Sequence, residues 1–237
     1  MRFSVLTLNL WNVNEPLAAR TSALAAGLKV LRPDIVCLQE VARRQSALVA
    51  EACELPHVID NGALSILSRT PIVRSHSAPL PEAPRDEPRQ VLLAETLIEG
   101  RPLLVANTHL AWRLEMIAER KAQVGTLLAA IKRDTTKTRI LCGDFNDDPD
   151  SPAVRLVLDS GAGFHDAYAD CRPDNPGFTW SRKNPYVDPS MPRDQRIDYI
   201  FATGDLAPKD CSVVFDGNNG LAVASDHFGV FCNFEFR

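Results

Sequence analysis

Apolar segments that stop on a polar side chain recur along this sequence of 237 residues. In ILCGDFNDDPDSP, residues 140–152, an apolar run passes through a glycine and ends on Asp144 and Asn146. The same pattern leaves Asn9, Glu40 and His109 at, or just past, the ends of other apolar segments. Because a sheet holds such residues rigidly and its rim leaves them accessible, the pattern predicts a functional site at a sheet edge.

Two further segments supply candidate residues of the same kinds. Asp198 lies near the start of RIDYIFA, whereas Asp226 and His227 lie in the turn ASDHFG. Carboxylate and carboxamide oxygens without thiolates suit Mg²⁺ or Mn²⁺ better than zinc. The recurrence in separate segments indicates one converging site rather than a row of surface charges.

Each candidate has a structural alternative when it is taken alone. Asn9 and Asn146 are also typical turn residues, and Asp144, Glu40 and Asp226 could cap a turn or a helix. A single histidine at a sheet rim is more often structural than catalytic. The joint occurrence in order along the chain favours the catalytic interpretation.

Composition bounds the class of protein. A hydrophobic content of 45% without a linker or repeat predicts one domain over residues 1–237, which we expect to be a monomer. The 26 basic and 30 acidic residues give a net charge of -4, which argues mildly against a polyanion-binding protein. A local basic patch remains compatible with this total.

The cysteines and the apolar runs suggest a cellular location. None of the six cysteines forms a Cys-x-x-Cys pair, so we expect neither a zinc site nor a disulfide framework. The opening MRFSVLTLNLW is typical of a first strand rather than a signal peptide. No apolar run approaches the roughly 20 residues that a membrane helix needs. These features together predict a cytoplasmic protein.

Helical and strand patterns alternate along the chain. Helices are predicted from residue 14, in the 40s and over residues 114–132, and Ser151-Pro152 marks a further helix start. Two hairpins are predicted, ALSILSR with PIVRSHS and QVLLAETLIEG with RPLLVANTHL. Beyond residue 166 we expect a long polar loop, followed by the strands RIDYIFA, CSVVFD and FGVFCNFEF.

Six motifs in order, TLNLW, LQE, NTHL, GDFN, RIDYIF and SDHFG, resemble the endonuclease/exonuclease/phosphatase superfamily. This group includes pancreatic deoxyribonuclease, abasic-site endonucleases, neutral sphingomyelinases and tyrosyl-DNA phosphodiesterases. The resemblance implies an α/β fold, a four-layer α/β/β/α sandwich with two face-to-face mixed sheets. It also implies a metal-dependent phosphoric ester hydrolase.

The resemblance further implies a role for each candidate residue. Glu40 would be the principal Mg²⁺ ligand, with Asn9 and Asp226 completing the set directly or through water. Asp144 would orient or deprotonate the attacking water, and Asn146 would donate to a phosphoryl oxygen.

The two histidines also receive roles from the resemblance. His227 would contact the phosphate with its tautomer fixed by Asp198. His109 matches a second histidine of deoxyribonuclease and sphingomyelinase, where abasic-site endonucleases carry a tyrosine.

Other polar and aromatic residues receive structural or open interpretations. We expect solvated turn and cap acids at Asp147, Asp148 and Asp150. We expect the solvent or rim face of a helix at Arg113, Arg120, Lys121 and Gln123. Trp180, in a loop with Phe178 and Tyr186, suits either a core position or a substrate contact.

The substrate stays open between two enzyme classes. The acidic balance and His109 favour a small-molecule or lipid-headgroup phosphoester. A nuclease or DNA-end-processing enzyme is the alternative, because the loop with Arg182, Lys183, Arg193 and Arg196 could contact nucleic acid. A binding module without catalysis is the third hypothesis, and nothing missing from the motifs supports it.

Overall fold

The structure, a computed structural model, describes residues 2–237. Helices and strands alternate along these residues, largely as the sequence predicts. The elements are β1 (Arg2–Asn9), α1 (Leu17–Leu31), β2 (Ile35–Gln39), α2 (Arg43–Cys53), β3 (His57–Asp60), β4 (Leu64–Ser68), β5 (Ile72–Pro79), β6 (Gln90–Ile98), β7 (Arg101–His109), α3 (Ile117–Arg133), β8 (Arg139–Asp144), α4 (Pro152–Leu158), β9 (Phe164–Asp166), α5 (Ala167–Cys171), β10 (Asp198–Thr203), β11 (Leu206–Val214) and β12 (Gly229–Phe236).

The strands form two six-stranded mixed sheets. Sheet A has the order β11-β12-β1-β2-β4-β3, and sheet B has the order β5-β6-β7-β8-β10-β9. In each sheet the central pair is parallel, β1 with β2 and β7 with β8, whereas the other pairs are antiparallel. The carboxyl ends of these parallel strands lie at one edge of each sheet.

The two sheets face each other, and helices cover their outer surfaces. One buried cluster joins residues of β1, β2 and β4 to residues of β6, β7, β8 and β10. A second cluster packs α3 and α4 against sheet B, and a third packs α1 and α2 against sheet A. The predicted four-layer α/β/β/α sandwich is therefore confirmed.

One predicted hairpin is wrong, whereas the other is confirmed. Strand β4 pairs with β2 and β3 in sheet A, while β5 pairs with β6 in sheet B. The short link after Ser68 therefore crosses between the sheets. Apolar alternation shows that both segments are strands, but it carries no information on the partner strand. The hairpin of β6 and β7 forms as expected.

The segments around the helices differ in detail from the prediction. Helix α3 begins at Ile117 rather than at residue 114, and the expected polar loop after Asp166 opens with helix α5. Asp166 caps α5 by accepting hydrogen bonds from the amides of Tyr168 and Ala169. The predicted start at Ser151 is confirmed, since its side chain accepts from the amide of Val154.

No disulfide framework is expected from the sequence, and the structure contains one disulfide among residues 2–237. Antiparallel pairing of β11 with β12 places Cys211 opposite Cys232, and their sulfur atoms are bonded. Strand register created this proximity, which a separation of 21 residues in sequence does not reveal. The other four cysteines are free. Among residues 2–237, no helix has the length and apolar character to cross a membrane.

Candidate active site

Strand register brings the predicted residues of sheet B into a row at one rim. Asp198 of β10 pairs with Asp144 of β8, and Asp144 pairs with His109 of β7. In sheet A, Asn9 pairs with Gln39, so that Glu40 lies immediately past the end of β2. Strands that are remote in sequence thus present their polar ends at the same edge.

Asn9 joins the carboxylates of the two sheets. Its side-chain Nδ2 donates to Asp144 Oδ2 at 3.0 Å and to Glu40 Oε1 at 3.3 Å. His109 Nε2 lies 3.4 Å from Asp144 Oδ2 and 4.0 Å from Glu40 Oε1. The Oδ1 of Asn9 accepts a hydrogen bond from the amide of Trp11, which fixes the orientation of the Asn9 side chain.

A buried amide pair connects the sheets directly beneath this rim. Gln39 Nε2 donates to Asn107 Oδ1 at 2.7 Å, and Asn107 Nδ2 donates to the carbonyls of Leu38 and Ser65. Gln39 precedes Glu40, and Asn107 lies two residues before His109. Because both amides are fully buried, this contact sets how the two halves of the site face each other.

His227 and Asp198 form a buried pair, as the sequence predicts. His227 Nδ1 lies 2.9 Å from Asp198 Oδ2. Burial lowers the pKa of His227, but the carboxylates of Asp198 and Asp144 more than offset burial and raise that pKa well above its usual range. The imidazole is therefore held as a cation, with Nε2 3.8 Å from Asp144 Oδ2.

His109, in contrast to His227, is uncharged. Burial lowers the pKa of His109 to about 4, with the attraction of Asp144 opposing burial and the repulsion of Arg89 adding to it. His109 is thus neutral near pH 7. One rim therefore holds a neutral imidazole and a charged one, on either side of Asp144.

Two site residues adopt a left-handed backbone conformation. Glu40 has φ of 46° and Asn146 has φ of 50°. The amide of Asn146 donates to Asp144 Oδ1 at 2.9 Å, and its Nδ2 donates to the carbonyl of Leu110 at 3.1 Å. Such conformations cluster at functional sites because the surrounding structure must hold them in place.

The acids of the site are desolvated. Burial raises the pKa of Glu40 and of Asp226, and repulsion from the Asp144 carboxylate adds to both shifts. One side-chain atom each of Asp144, Asp198 and His227 also lies within 4.8 Å of the others, an arrangement that could hold a metal ion. His227 Nδ1 already contacts Asp198, so only Nε2 of this imidazole could ligate such an ion.

A cleft of about 640 Å³ opens above these residues. All three tryptophans of the chain, Trp11, Trp112 and Trp180, line it. Trp180 therefore faces the cleft, and Tyr186 packs against Trp11 with ring centroids 5.9 Å apart. Phe178 is exposed and lines neighbouring grooves instead.

The prediction of a solvent or rim face of a helix differs from the structure at three positions, because Arg113 lies before α3 and two other residues are buried. Arg120 and Gln123 are fully buried. Arg120 donates to the carbonyls of Ala111 and Arg113 and pairs with Asp147 at 2.9 Å, so it holds the loop after β7. A charged residue at a polar helical position does not reveal that loop carbonyls cover it.

Arg20 of α1 plays the same structural role in sheet A that Arg120 plays in sheet B, and the sequence does not indicate it. It is buried and donates to the carbonyls of Leu10, Asn12 and Asn14, in the loop after β1. A further contact reaches the carbonyl of Ala224, two residues before Asp226. One buried arginine thus fixes a rim loop on each sheet.

Two facing mixed sheets with a rim cluster of carboxylates and histidines define an α/β-sandwich hydrolase. The model of the Endonuclease/Exonuclease/phosphatase family matches residues 6–227, and the chain belongs to this family. The expected family is confirmed, and with it the expected class of phosphoester-hydrolysing enzymes.

Named relatives and solved structures agree with this assignment. Nocturnin of Xenopus laevis is 29% identical over 166 residues, which cover 62% of this chain and 42% of that protein. The structure of D. rerio TDP2 complexed with single strand DNA product has a TM-score of 0.81 at 22% identity, with 99% of each chain covered. An endonuclease/exonuclease/phosphatase from Bacteroides vulgatus has a TM-score of 0.83 at 19% identity, with both chains fully covered.

The chain spans about two fifths of the length of the curated relatives that it matches, 42% and 40%. The solved structures lie under 25% identity and establish the fold alone.

Proposed function

We propose that this chain is a Mg²⁺-dependent phosphoesterase that cleaves a phosphodiester or phosphomonoester by attack of water. The charge of the cleft carries the proposal. Its lining holds four carboxylates, Glu40, Glu87, Asp144 and Asp226, against two arginines and His227. A phosphate anion would be repelled by this excess unless a cation offsets it. The function therefore requires a bound metal ion.

Glu40 and Asp226 would hold the cation. Asn9 would either orient the carboxylates of Glu40 and Asp144 or bind the cation through a water molecule. Half-buried carboxylates with a raised pKa fit a divalent cation, and hard oxygen donors suit Mg²⁺ or Mn²⁺. When bound, the cation would neutralise charge on the phosphate and polarise its P–O bond.

The remaining residues would position water and stabilise charge. Asp144, held by Asn9 and by the amide of Asn146, would orient or deprotonate the water. His227, as a cation, and the second N–H of the Asn146 amide would donate to phosphoryl oxygens as charge develops. Neutral His109 would offer its ring nitrogen beside Asp144.

The cleft favours a small phosphoester with an aromatic or apolar group. Three tryptophans supply its apolar walls. Of its two arginines, Arg193 is exposed and pairs with Asp148, whereas Arg89 contacts Asp86 through Nε and Nη2 only. Few free cations remain for a long polyanion, whose binding depends on neutralising many phosphates. A lipid headgroup stays within the proposed class.

Nuclease or DNA-end-processing activity is the second candidate. The tryptophans that line the cleft could stack on exposed bases, which supports it. The D. rerio TDP2 structure with single strand DNA product has the same fold. Because the cleft offers few cations to neutralise phosphates, a short single strand suits it better than a duplex.

A metal-controlled substrate panel tests the proposal. Small diesters, monoesters, a lipid phosphodiester and a single-stranded oligonucleotide would be assayed with EDTA, then with Mg²⁺ or Mn²⁺ restored. We expect activity to disappear with EDTA and to return with either cation. Full turnover in exhaustively chelated buffer would contradict the metal requirement. The preferred ester decides between the two candidate functions.

A further inference from the structure

Arg89 lies at the same rim as the proposed catalytic residues, one residue before β6. Strand β6 pairs with β7 and places Val91 opposite Thr108, so that Arg89 lies just beyond the level of His109. Because neighbouring strands are ~4.8 Å apart, the backbone of Arg89 lies one strand beyond His109 and ~10 Å from Asp144. It ends the proline-rich segment PLPEAPRDEPR, residues 79–89, which links β5 to β6.

The guanidinium of Arg89 is anchored on one edge. Its Nη2 donates to Asp86 Oδ1 at 2.6 Å and its Nε donates to Asp86 Oδ2 at 3.3 Å. The Asp86 side chain is completely buried and also accepts from the amide of Glu87. This two-point contact holds the planar fork in one orientation.

The opposite edge of the guanidinium has no protein partner. Arg89 is only 7% exposed, yet its Nη1 makes no hydrogen bond within the described part of the chain. The residue lines both the main cleft and a side pocket of about 110 Å³ that also reaches Glu40 and His109. The largely buried Arg89 therefore presents an immobilised donor to a ligand in the cleft.

The charges around Arg89 are compatible with an anion. Asp86 lies behind the guanidinium and balances it, whereas the unpartnered edge remains available to the cleft. Glu87 also lines both cavities, but it is exposed, so solvent screens its charge. Arg193, the other arginine of the cleft, is exposed and already pairs with Asp148.

We propose that Arg89 binds a second, non-scissile phosphate of the substrate, about one strand beyond the phosphate that is attacked. A fixed guanidinium edge matches phosphate oxygens in geometry and charge. The inference rests on the proposed function and narrows it to phosphoesters that carry another phosphate. This second phosphate could belong to a small bisphosphorylated molecule or to a short nucleic-acid strand.

Matched substrates test the assignment. A non-nucleotide diester and a dinucleotide would each be prepared with and without an additional terminal phosphate. We expect the wild-type protein to have a higher kcat/KM for the substrate with the additional phosphate in at least one pair. The pair that shows this preference identifies whether the second phosphate belongs to a small molecule or to a nucleic-acid strand. The double variant Asp86→Asn with Arg89→Gln removes both charges, so that no unpaired carboxylate stays buried.

The expected loss is specific to the second phosphate. In the double variant, kcat/KM should fall roughly 10- to 100-fold more for the substrate with the additional phosphate, the range expected for one charged hydrogen bond. Arg193→Gln removes the other arginine of the cleft and serves as the control. It should change kcat/KM by the same factor for both substrates of a pair. Equal losses on both substrates in the double variant, or a preference that survives it, would overturn the proposal.

A binding measurement separates this inference from the proposed function. Calorimetry with Mg²⁺ would compare an alkane bisphosphonate with the matching alkyl monophosphonate, neither of which can be hydrolysed as an ester. We expect tighter binding of the bisphosphonate to the wild-type protein and a loss of that difference in the double variant. Such a result without hydrolysis of any ester refutes the function alone. Hydrolysis with equal binding of both probes refutes the Arg89 site alone.

Discussion

At the residue scale, the most direct test concerns Asp198 and His227. Their 2.9 Å contact is buried, and Asp198 holds the imidazole that faces Asp144. We expect His227→Ala to lower kcat by on the order of 10²–10⁴, the scale of a positioned donor. Asp198→Asn should also lower kcat, and the double variant should be little worse than His227→Ala.

Measuring kcat together with the melting temperature for all three variants separates the explanations. Losses that multiply in the double variant would mean that Asp198 and His227 act separately. If the contact is only structural, the melting temperature would fall while kcat per folded molecule survives.

Also at the residue scale, Arg89 and Arg120 show where local sequence misleads. In DEPRQ, Arg89 resembles an exposed loop residue, and in AERKAQ, Arg120 resembles an exposed helical residue. Both are buried because polar partners satisfy them, Asp86 of the same loop in one case and the carbonyls of Ala111 and Arg113 in the other. A charge pattern records polarity but not which groups the folded chain brings into contact with each charge.

At the scale of elements, β8 depends on a glycine beside β7. Gly143 has φ of 144°, and a Cβ there would lie 2.0 Å from the carbonyl oxygen of Thr108. We therefore expect Gly143→Ala to destabilise the protein by roughly 1–3 kcal/mol or more. The substitution should also lower activity, since the neighbouring residue is Asp144.

Helix α3 offers a matched control for this substitution. Gly125 is exposed, and a Cβ there would meet no atom within 4 Å. Gly125→Ala should stabilise the helix by about 0.5–1 kcal/mol. Chemical denaturation of both variants provides the measurement. Unchanged stability and activity in Gly143→Ala would show that β8 does not need the close approach.

At the scale of the whole molecule, metal binding should be linked to stability. Glu40 and Asp226 come from segments that are distant in sequence, and both line one cleft with Asp144. Burial disfavours the charged forms of Glu40 and Asp226. Saturating Mg²⁺ should raise the melting temperature. At a free Mg²⁺ concentration one hundred times Kd, the free energy of unfolding should rise by about 2.7 kcal/mol. Glu40→Gln should abolish most of this rise while the metal-free protein stays folded.

Scanning calorimetry with and without Mg²⁺ measures this linkage. Glu51→Gln, an exposed acid on α2, provides the control and should keep the full metal-dependent rise. An undiminished rise in Glu40→Gln would mean that Glu40 has been assigned a wrong role.

The sequence by itself determined the element types and the polar residues that end the strands. Periodicity and chain punctuation are local properties, so strands β1, β2, β7 and β8 and the residues at their ends could be read directly. The six motifs in order also specified the sandwich, because the resemblance covers nearly the whole chain.

Only the tertiary structure decided the partners. It placed β4 and β5 in different sheets, paired Cys211 with Cys232 and joined the sheets through Gln39 and Asn107. It also turned the unpartnered edge of Arg89 toward the cleft. Each of these contacts joins segments that are not neighbours in the same strand or helix. Their formation depends on strand register and on burial by distant residues, and a local pattern contains neither.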